Sequence, residues 1–308
     1  GLNSLNGTTG YIINGTNAGD YAGSSVSNIG DINGDGTDDI LIGAFGADPG
    51  AASQAGSAYV IFGGSSNLAS LDAADASTDG RIDLANLNGT NGFVVNGITA
   101  SDQFATSVGN AGDLNGDGTN DLAFGAFGGD SNQSSAGETY VVFGGSSVGS
   151  SGTITLSTLN GTDGIRFDGD DSSDSSGRTV VGAGDVNNDG KSDLLVSIHG
   201  GDGGGSGSGG VMVLFGGTDF AKDTRVNADV NSLNGENGFK LTGAGASDLS
   251  GWAVSAAGDV NGDGFEDFMV GARNAEGGGS TRGAAYVVFG GATVGSGVTI
   301  DLSSLNGT

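Results

Sequence analysis

Residues 31–39 read Asp31-Ile32-Asn33-Gly34-Asp35-Gly36-Thr37-Asp38-Asp39, and the pattern D-x-N-x-D-G-x-x-D returns at 113–121, 185–193 and 259–267. Positions 1, 3 and 5 place oxygen-bearing side chains where they can face one centre: Asp31, Asn33 and Asp35; Asp113, Asn115 and Asp117; Asp185, Asn187 and Asp189; Asp259, Asn261 and Asp263. Gly at position 6 permits a sharp turn. The backbone carbonyl of position 7 (Thr37, Thr119, Lys191, Phe265) supplies a further oxygen, and position 9 (Asp39, Asp121, Asp193, Asp267) a further carboxylate. Such an all-oxygen cage suits a hard cation of adaptable coordination, which predicts Ca²⁺ ahead of Mg²⁺ at four sites. Zinc would want His or Cys, and neither is near. One copy alone could be a turn built from the residues turns favour; four in register call for a metal.

The obvious competitor is an EF-hand, whose loop ends in a bidentate Glu at position 12 followed by a helix. Here that position holds Ile42, Phe124, Val196 or Val270. The loop therefore runs into a strand and ties two strands together.

Working outward, the tripeptide Leu-Asn-Gly begins at Leu5, Leu87, Leu159, Leu233 and Leu305, at intervals of 82, 72, 74 and 72 residues. Four periods, approximately 5–86, 87–158, 159–232 and 233–308, fill a single domain spanning 1–308. Each period opens with an apolar run such as Gly92-Phe93-Val94-Val95 and then an Asp (Asp20, Asp102, Asp174, Asp248). A small-residue segment ends in Val26, Val108, Val180 or Val254, and the acidic loop follows. Alternating apolar residues such as Ile40-Leu41-Ile42 come next, and Tyr59-Val60-Ile61-Phe62-Gly63-Gly64 or its copies close the period. That makes four strand-like runs per period, bounded by Gly, Asn or Asp, and no stretch with helical periodicity. The pattern predicts an all-β chain, a β-propeller of four-stranded antiparallel blades. The runs near both ends leave two arrangements open. In one, the N-terminal strand completes the last blade of a four-blade ring; in the other, the four blades are part of a larger ring or array.

The composition agrees. Sixty-six Gly, a single Pro and no Cys describe a turn-rich chain with neither disulfides nor thiolate metal sites. Nine Lys+Arg against 36 Asp+Glu give a net charge of −27, which a nucleic acid or an anionic membrane would repel. That charge also strains a compact fold unless cations neutralise part of it. No apolar run approaches the ~20 residues of a membrane helix, so no membrane insertion is expected. No signal peptide is recognisable either, and any such signal is expected to lie outside these residues.

The four loops, the Gly-Ala after the following strand (Gly43-Ala44, Gly125-Ala126, Gly271-Ala272) and the Tyr-Val-x-Phe-Gly-Gly segments resemble FG-GAP repeats, the blade unit of the integrin α-subunit propeller and of many bacterial surface proteins. The resemblance covers essentially the whole chain. It implies Ca²⁺ in a hairpin between two adjacent strands of each blade. It further implies a secreted, extracellular or cell-surface module, bacterial in type and non-catalytic, for adhesion, self-assembly or matrix structure, with a protein partner or further copies of itself. Two departures stand out: the third repeat has Ser197-Ile198-His199 in place of Gly-Ala, and integrin propellers have seven blades. The alternatives are a calcium-propeller enzyme acting on polysaccharide or phospholipid, and a glycan-binding lectin. The first would want a cluster of acid–base residues and the second exposed aromatics beside a calcium site; one His, one Trp and five Tyr give little for either.

Further segments carry weaker signals. The first period's insertion holds a fifth match, with Asp75, Ser77, Asp79 and Asp83 as the ligands of a weaker Ca²⁺ site, or else a polar turn. Asp171-Ser172-Ser173-Asp174-Ser175 matches an adhesion-type metal motif but lies in a polar stretch rather than after a buried strand. Residues 201–210 read as a flexible Gly/Ser loop. His199 reads as a loop residue and Trp252 as a packing residue. Asn-Gly-Thr at Asn6, Asn14, Asn88 and Asn160 fits a glycosylation sequon and a turn equally.

Overall fold

The computed structural model describes residues 5–130, 133–217, 228–229, 233–275 and 282–305. In chain order the strands are β1 (Ile12–Asn14), β2 (Ser25–Gly30), β3 (Asp39–Ala44), β4 (Ser57–Ile61), β5 (Arg81–Asp83), β6 (Gly92–Asn96), β7 (Ser107–Gly112), β8 (Asp121–Ala126), β9 (Glu138–Val142) and β10 (Thr153–Thr155). There follow β11 (Gly164–Asp168), β12 (Ser176–Gly184), β13 (Asp193–Ile198), β14 (Gly210–Leu214), β15 (Ala228–Asp229), β16 (Gly238–Thr242), β17 (Ser250–Gly258), β18 (Asp267–Ala272), β19 (Ala284–Val288) and β20 (Thr299–Asp301).

These strands form blades of antiparallel sheet. In the first, β2, β3, β4 and β6 are neighbours in that order; the second is β7-β8-β9-β11, the third β12-β13-β14-β16, and the fourth, among the described residues, β17-β18-β19. The middle strands β8 and β13 are buried along their whole length, because a neighbouring blade covers each face. The core is therefore laminar. Phe93, Phe104 and Phe124 fill the space between the first and second blades, Phe167 and Met212 that between the second and third, and Phe239 and Phe268 that between the third and fourth. Blade packing is close enough to require glycine at one point. A Cβ on Gly125 of β8 would stand 1.7 Å from the carbonyl oxygen of Gly177 in the next blade.

The structure adds a fifth element to the expected four strands. Each outer strand, which opens a period, is flanked on its far side by a short parallel strand from the end of the same period: β6 by β10, β11 by β15 and β16 by β20. The same pairing joins β1 to β5. That pairing decides the closure question for this chain. The N-terminal strand does not complete the fourth blade, and among the described residues β19 has no strand on its outer edge. The inner strands pack in the order β2, β7, β12, β17, and no packing of that extent returns from β17 to β2. The four blades form an open array.

The expectation of no helix also needs correcting. The insertion in the first period folds as a two-turn helix, α1 (Ser65–Asp72), whose Leu71 packs with Ile82 and Leu84 on the outer face of the first blade. Two turns are too short for a 3.6-residue period to declare itself in a sequence. Among the described residues no helix is long and apolar enough to cross a membrane.

Candidate functional site

Each acidic loop joins the first and second strands of a blade, as β2 to β3, so the loops emerge on one face of the array. A β-bulge opens the ladder just before each loop, at Gly30, Gly112, Gly184 and Gly258, all with positive φ. The bulge re-aims the strand into the loop.

Within the loop the first Asp organises the backbone. Asp31 Oδ1 accepts from the N–H groups of Gly34 (2.8 Å) and Asp35 (3.0 Å), and Oδ2 from Gly36 (2.7 Å). Asn33 Oδ1 accepts from Asp35 N (2.9 Å), while its amide donates to Asp35 Oδ2 (3.1 Å). Thr37 donates both its N–H (2.9 Å) and its hydroxyl to Asp35 Oδ1. The Thr37 hydroxyl is the main cause holding the Asp35 carboxyl below its usual range. The second and fourth loops repeat the winding about Asp113 and Asp259, with bonds of 2.7–3.1 Å. The chain is thus wrapped around the residues at positions 1, 3 and 5.

The third loop is wound likewise about Asp185 but differs in two ways. Asn188 takes the positive φ that Gly34, Gly116 and Gly262 take elsewhere. In addition, the Lys191 ammonium lies 3.7 Å from Asp189 Oδ1, so a cation of the protein's own already sits at this carboxylate.

Position 9 has a role that the motif alone did not convey. Asp39, Asp121, Asp193 and Asp267 are fully buried. Asp39 Oδ2 accepts from Ile32 N (3.1 Å) and Oδ1 from Gly63 N (2.7 Å), which staples the loop to the Phe-Gly-Gly segment at the end of β4. The same pair of bonds joins Asp121 to Leu114 and Gly144, Asp193 to Val186 and Gly216, and Asp267 to Val260 and Gly290. Burial pushes the Asp39 carboxyl up to about 6 and those of Asp121 and Asp193 up to about 7, against the pull of these N–H groups. The signal was present in the near-constant offset from each Asp to its Gly-Gly, 24 residues in the first repeat and 23 in the others.

The donor set fits a divalent hard cation: carboxylates and an amide oxygen on one short loop, a carbonyl at position 7, and no nitrogen or sulfur ligand. Asp31, Asn33, Asp35 and their counterparts would hold the ion, with position 9 behind them. The fifth match is built differently. Asp75 accepts only from Ser77, through N–H (2.9 Å) and hydroxyl (2.7 Å), while Gly80 N turns to Asp72 Oδ1 (2.8 Å). Asp83 caps a 3-10 turn by accepting from Ala85 N (2.9 Å), and Asp79 lies 3.6 Å from Arg81 Nε. Asp75, Ser77, Asp79 and Asp83 are not wound around a common centre, because 81–83 is committed to strand β5.

On the opposite face of the array, where the second strands run out, two arginines, a tryptophan and the histidine meet. The guanidinium carbons of Arg178 and Arg273 each stand 4.3 Å from the centroid of the Trp252 ring, and His199 meets that ring edge-on at 5.6 Å. Burial, then the Arg178 charge, pushes the imidazole below its usual range. Trp252 is thus a packing residue between cations. The Asp171–Asp174 stretch forms an acidic cluster with Asp170, to which Lys240 Nζ donates at 2.9 Å. The Gly/Ser loop is tied down rather than loose: Ser208 is fully buried, its Oγ accepts from Gly204 N (2.9 Å), and its carbonyl accepts from Ser250 N (2.9 Å) of the next blade.

The family model of the FG-GAP repeat matches residues 22–61 and 250–288, which take in the loops of the first and fourth blades with the strands on either side. No curated protein matches the chain.

Proposed function

We propose that this member of the FG-GAP repeat family is a non-catalytic, extracellular calcium-binding β-propeller module that serves cell-surface adhesion, self-assembly or matrix structure. The carrying observation is the repetition of one loop geometry in four blades, each winding its backbone around paired Asp residues and an Asn. Four calcium ions would bring the formal charge from −27 to −19, relieving the self-repulsion of an acidic fold. The extracellular assignment rests on the repeat family and on millimolar calcium, the range in which extracellular modules bind at roughly 10⁻⁴–10⁻³ M. Isothermal titration of metal-stripped protein should give about four calcium sites and much weaker Mg²⁺ binding; fewer than three sites would sink the reading.

One observation favours a second reading, a lectin for anionic glycans: the Arg178–Trp252–Arg273 stack beside His199. A uronate or sulfated sugar retained by the protein, and released by Trp252→Ala without loss of calcium binding, would favour it.

A further inference from the structure

The third blade departs from the other repeats at two positions that meet. In the first period the buried Asp20 accepts from the Thr16 hydroxyl (2.9 Å), Asn17 N (3.2 Å) and the Asn17 amide (3.2 Å). Its counterpart Asp174 is as well buried, at 4 % exposure. The residues four and three before it are Asp170 and Asp171, so a carboxylate stands where the first period has its hydroxyl donor. Carboxylate oxygens of Asp170, Asp171 and Asp174 lie within 4.8 Å of one another. On the outer strand β16 the third blade has Lys240, at the position of Val94 in the first and Arg166 in the second. Lys240 Nζ donates to Asp170 Oδ2 at 2.9 Å.

An amine and a carboxyl are thus held in contact beside a second, buried carboxyl. The Lys240 side chain is 26 % exposed and that of Asp170 only 10 %. Lys191, the other lysine among the described residues, stands 3.7 Å from an Asp189 side chain that is 36 % exposed. Arg166 could not react in the same way, because a guanidinium keeps its proton, and it pairs with Asp168 of its own strand. Burial, then the Asp170 bond and charge, pushes the Asp174 carboxyl up to about 7. Burial pushes Asp170 the same way, but its bonds to Lys240 and then Asp174 outweigh it and hold that carboxyl low. The proton between the two acids therefore rests on Asp174, which donates it to Asp170.

We propose that Lys240 and Asp170 condense into an isopeptide bond, with Asp174 as the acid that activates the carboxyl. A proton passes from the Lys240 ammonium to Asp170 along their 2.9 Å bond, and the freed amine attacks the Asp170 carboxyl carbon, one bond beyond. The Asp174 hydroxyl donates to the oxygen that gains charge as that carbon becomes tetrahedral. An N–C bond forms, a C–O bond breaks, and the departing oxygen leaves as water with two protons that began on Nζ. One positive and one negative charge disappear together, and nothing is oxidised or reduced. In free solution water favours the separate ions. Groups held in reacting geometry behave as if at ~10⁵–10⁸ M, which drives the condensation. The water leaves through the cavity that Asp170, Asp174 and Lys240 line with Ile198 and Leu241. Asp170 lies at the entry to the third blade and Lys240 on its outer strand, 70 residues on. The bond therefore closes β12, β13 and β14 into one covalent loop, which lowers the entropy of the unfolded chain.

Intact-mass spectrometry of the denatured protein reads the bond directly. The expected mass is that of the 29.6 kDa chain less one water. Trypsin should release residues 167–178 joined to 226–273, with no cleavage at Lys240. Lys240→Arg keeps the charge but cannot condense, so it should show the full mass. Asp170→Asn should lose ammonia in place of water, because the amide nitrogen is then the leaving group. Asp174→Ala should leave most of the purified chain unjoined. Full mass with a free Lys240 in the unmodified protein would overturn the inference, whether or not any variant folds. So would a water loss that survives Lys240→Arg, which would mark cyclisation at an Asp-Gly pair instead. Complete joining in Asp174→Ala would overturn the role given to Asp174.

Discussion

The backbone N–H of Val108 donates to the hydroxyl of Ser25 in the preceding blade at 3.0 Å, and Val180 stands in the same relation to Ser107, also at 3.0 Å. These bonds are polar pins through an otherwise apolar junction. Val180 is buried, so Ser107→Ala leaves its amide without that partner. The expected cost is about 1–3 kcal/mol, read as a melting temperature lowered by about 2–4 °C per kcal/mol. Thermal melts of the variant in saturating calcium check this, and an unchanged curve refutes it.

Calcium should be part of the stability of the fold. Without metal each loop holds several carboxylates close together, and like charges so placed oppose one another. At a free calcium concentration 100 times the dissociation constant, each independent site stabilises the folded state by about 2.7 kcal/mol. Four such sites together are comparable with the ~5–15 kcal/mol net stability of a whole domain. Chelation should therefore lower the melting temperature strongly, with recovery by Ca²⁺ better than by equal Mg²⁺. Superimposable melts in EDTA and in millimolar calcium would mean that the loops are ordinary turns.

The sites should not be equal. Lys191 places an ammonium 3.7 Å from a carboxylate that a bound calcium ion would need. Lys191→Thr, which restores the residue of the first two loops, should strengthen one site and leave the others alone. Terbium luminescence titration would show the weakest binding phase moving to lower concentration. If the phases do not move, the ammonium does not compete.

Acid should stabilise the metal-free protein down to about pH 4. Burial, with the Glu138 charge next, pushes the Asp102 carboxyl up to about 6, and burial, with the Asp170 bond and charge next, pushes Asp174 up to about 7, both from an ordinary 3.8. Between those values the folded state binds more protons than the unfolded one, so stability is lost as pH rises from about 4 to 7. His199, held low, works the other way below 6.5, but it is a single group. Asp35 and Asp170 are held low and act only below the ordinary carboxylate range. In EDTA the melting temperature should thus be higher at pH 5 than at pH 8, and Asp102→Asn with Asp174→Asn should reduce that slope, leaving the part due to the raised carboxyls of Asp39, Asp121 and Asp193. A melting temperature that rises from pH 5 to pH 8 would contradict it.

Much of this fold was legible because its signals come in fourfold register. The D-x-N-x-D-G-x-x-D loops, the alternating runs after them and the Phe-Gly-Gly endings located three inner strands of every blade. Strands of three residues such as Arg81–Asp83 and Thr153–Thr155 were not legible, since their order comes from a parallel partner elsewhere in the chain. Helix α1 was hidden by its two-turn length. Asp39 read as a possible ligand, yet its bonds to Ile32 and Gly63 show it to be a staple as well, a role that requires knowing where β4 ends. Closure was beyond reach for another reason: the rotation between stacked sheets is set by side-chain packing, and no single motif encodes it.

The short parallel strands have a mechanical consequence. Because β10 flanks β6 on the side away from β4, the outer edge of the first blade is held by segments of the second period. A load drawn along the polypeptide would act on that parallel ladder largely in shear, breaking several hydrogen bonds together. Among the described residues the fourth blade has neither an outer strand nor a flanking one, so it offers no such ladder. Each rupture would release one period, 72 residues at its shortest, or roughly 240–260 Å of extended chain. Pulled between surfaces, the array would behave as a serial shock absorber that yields one blade at a time.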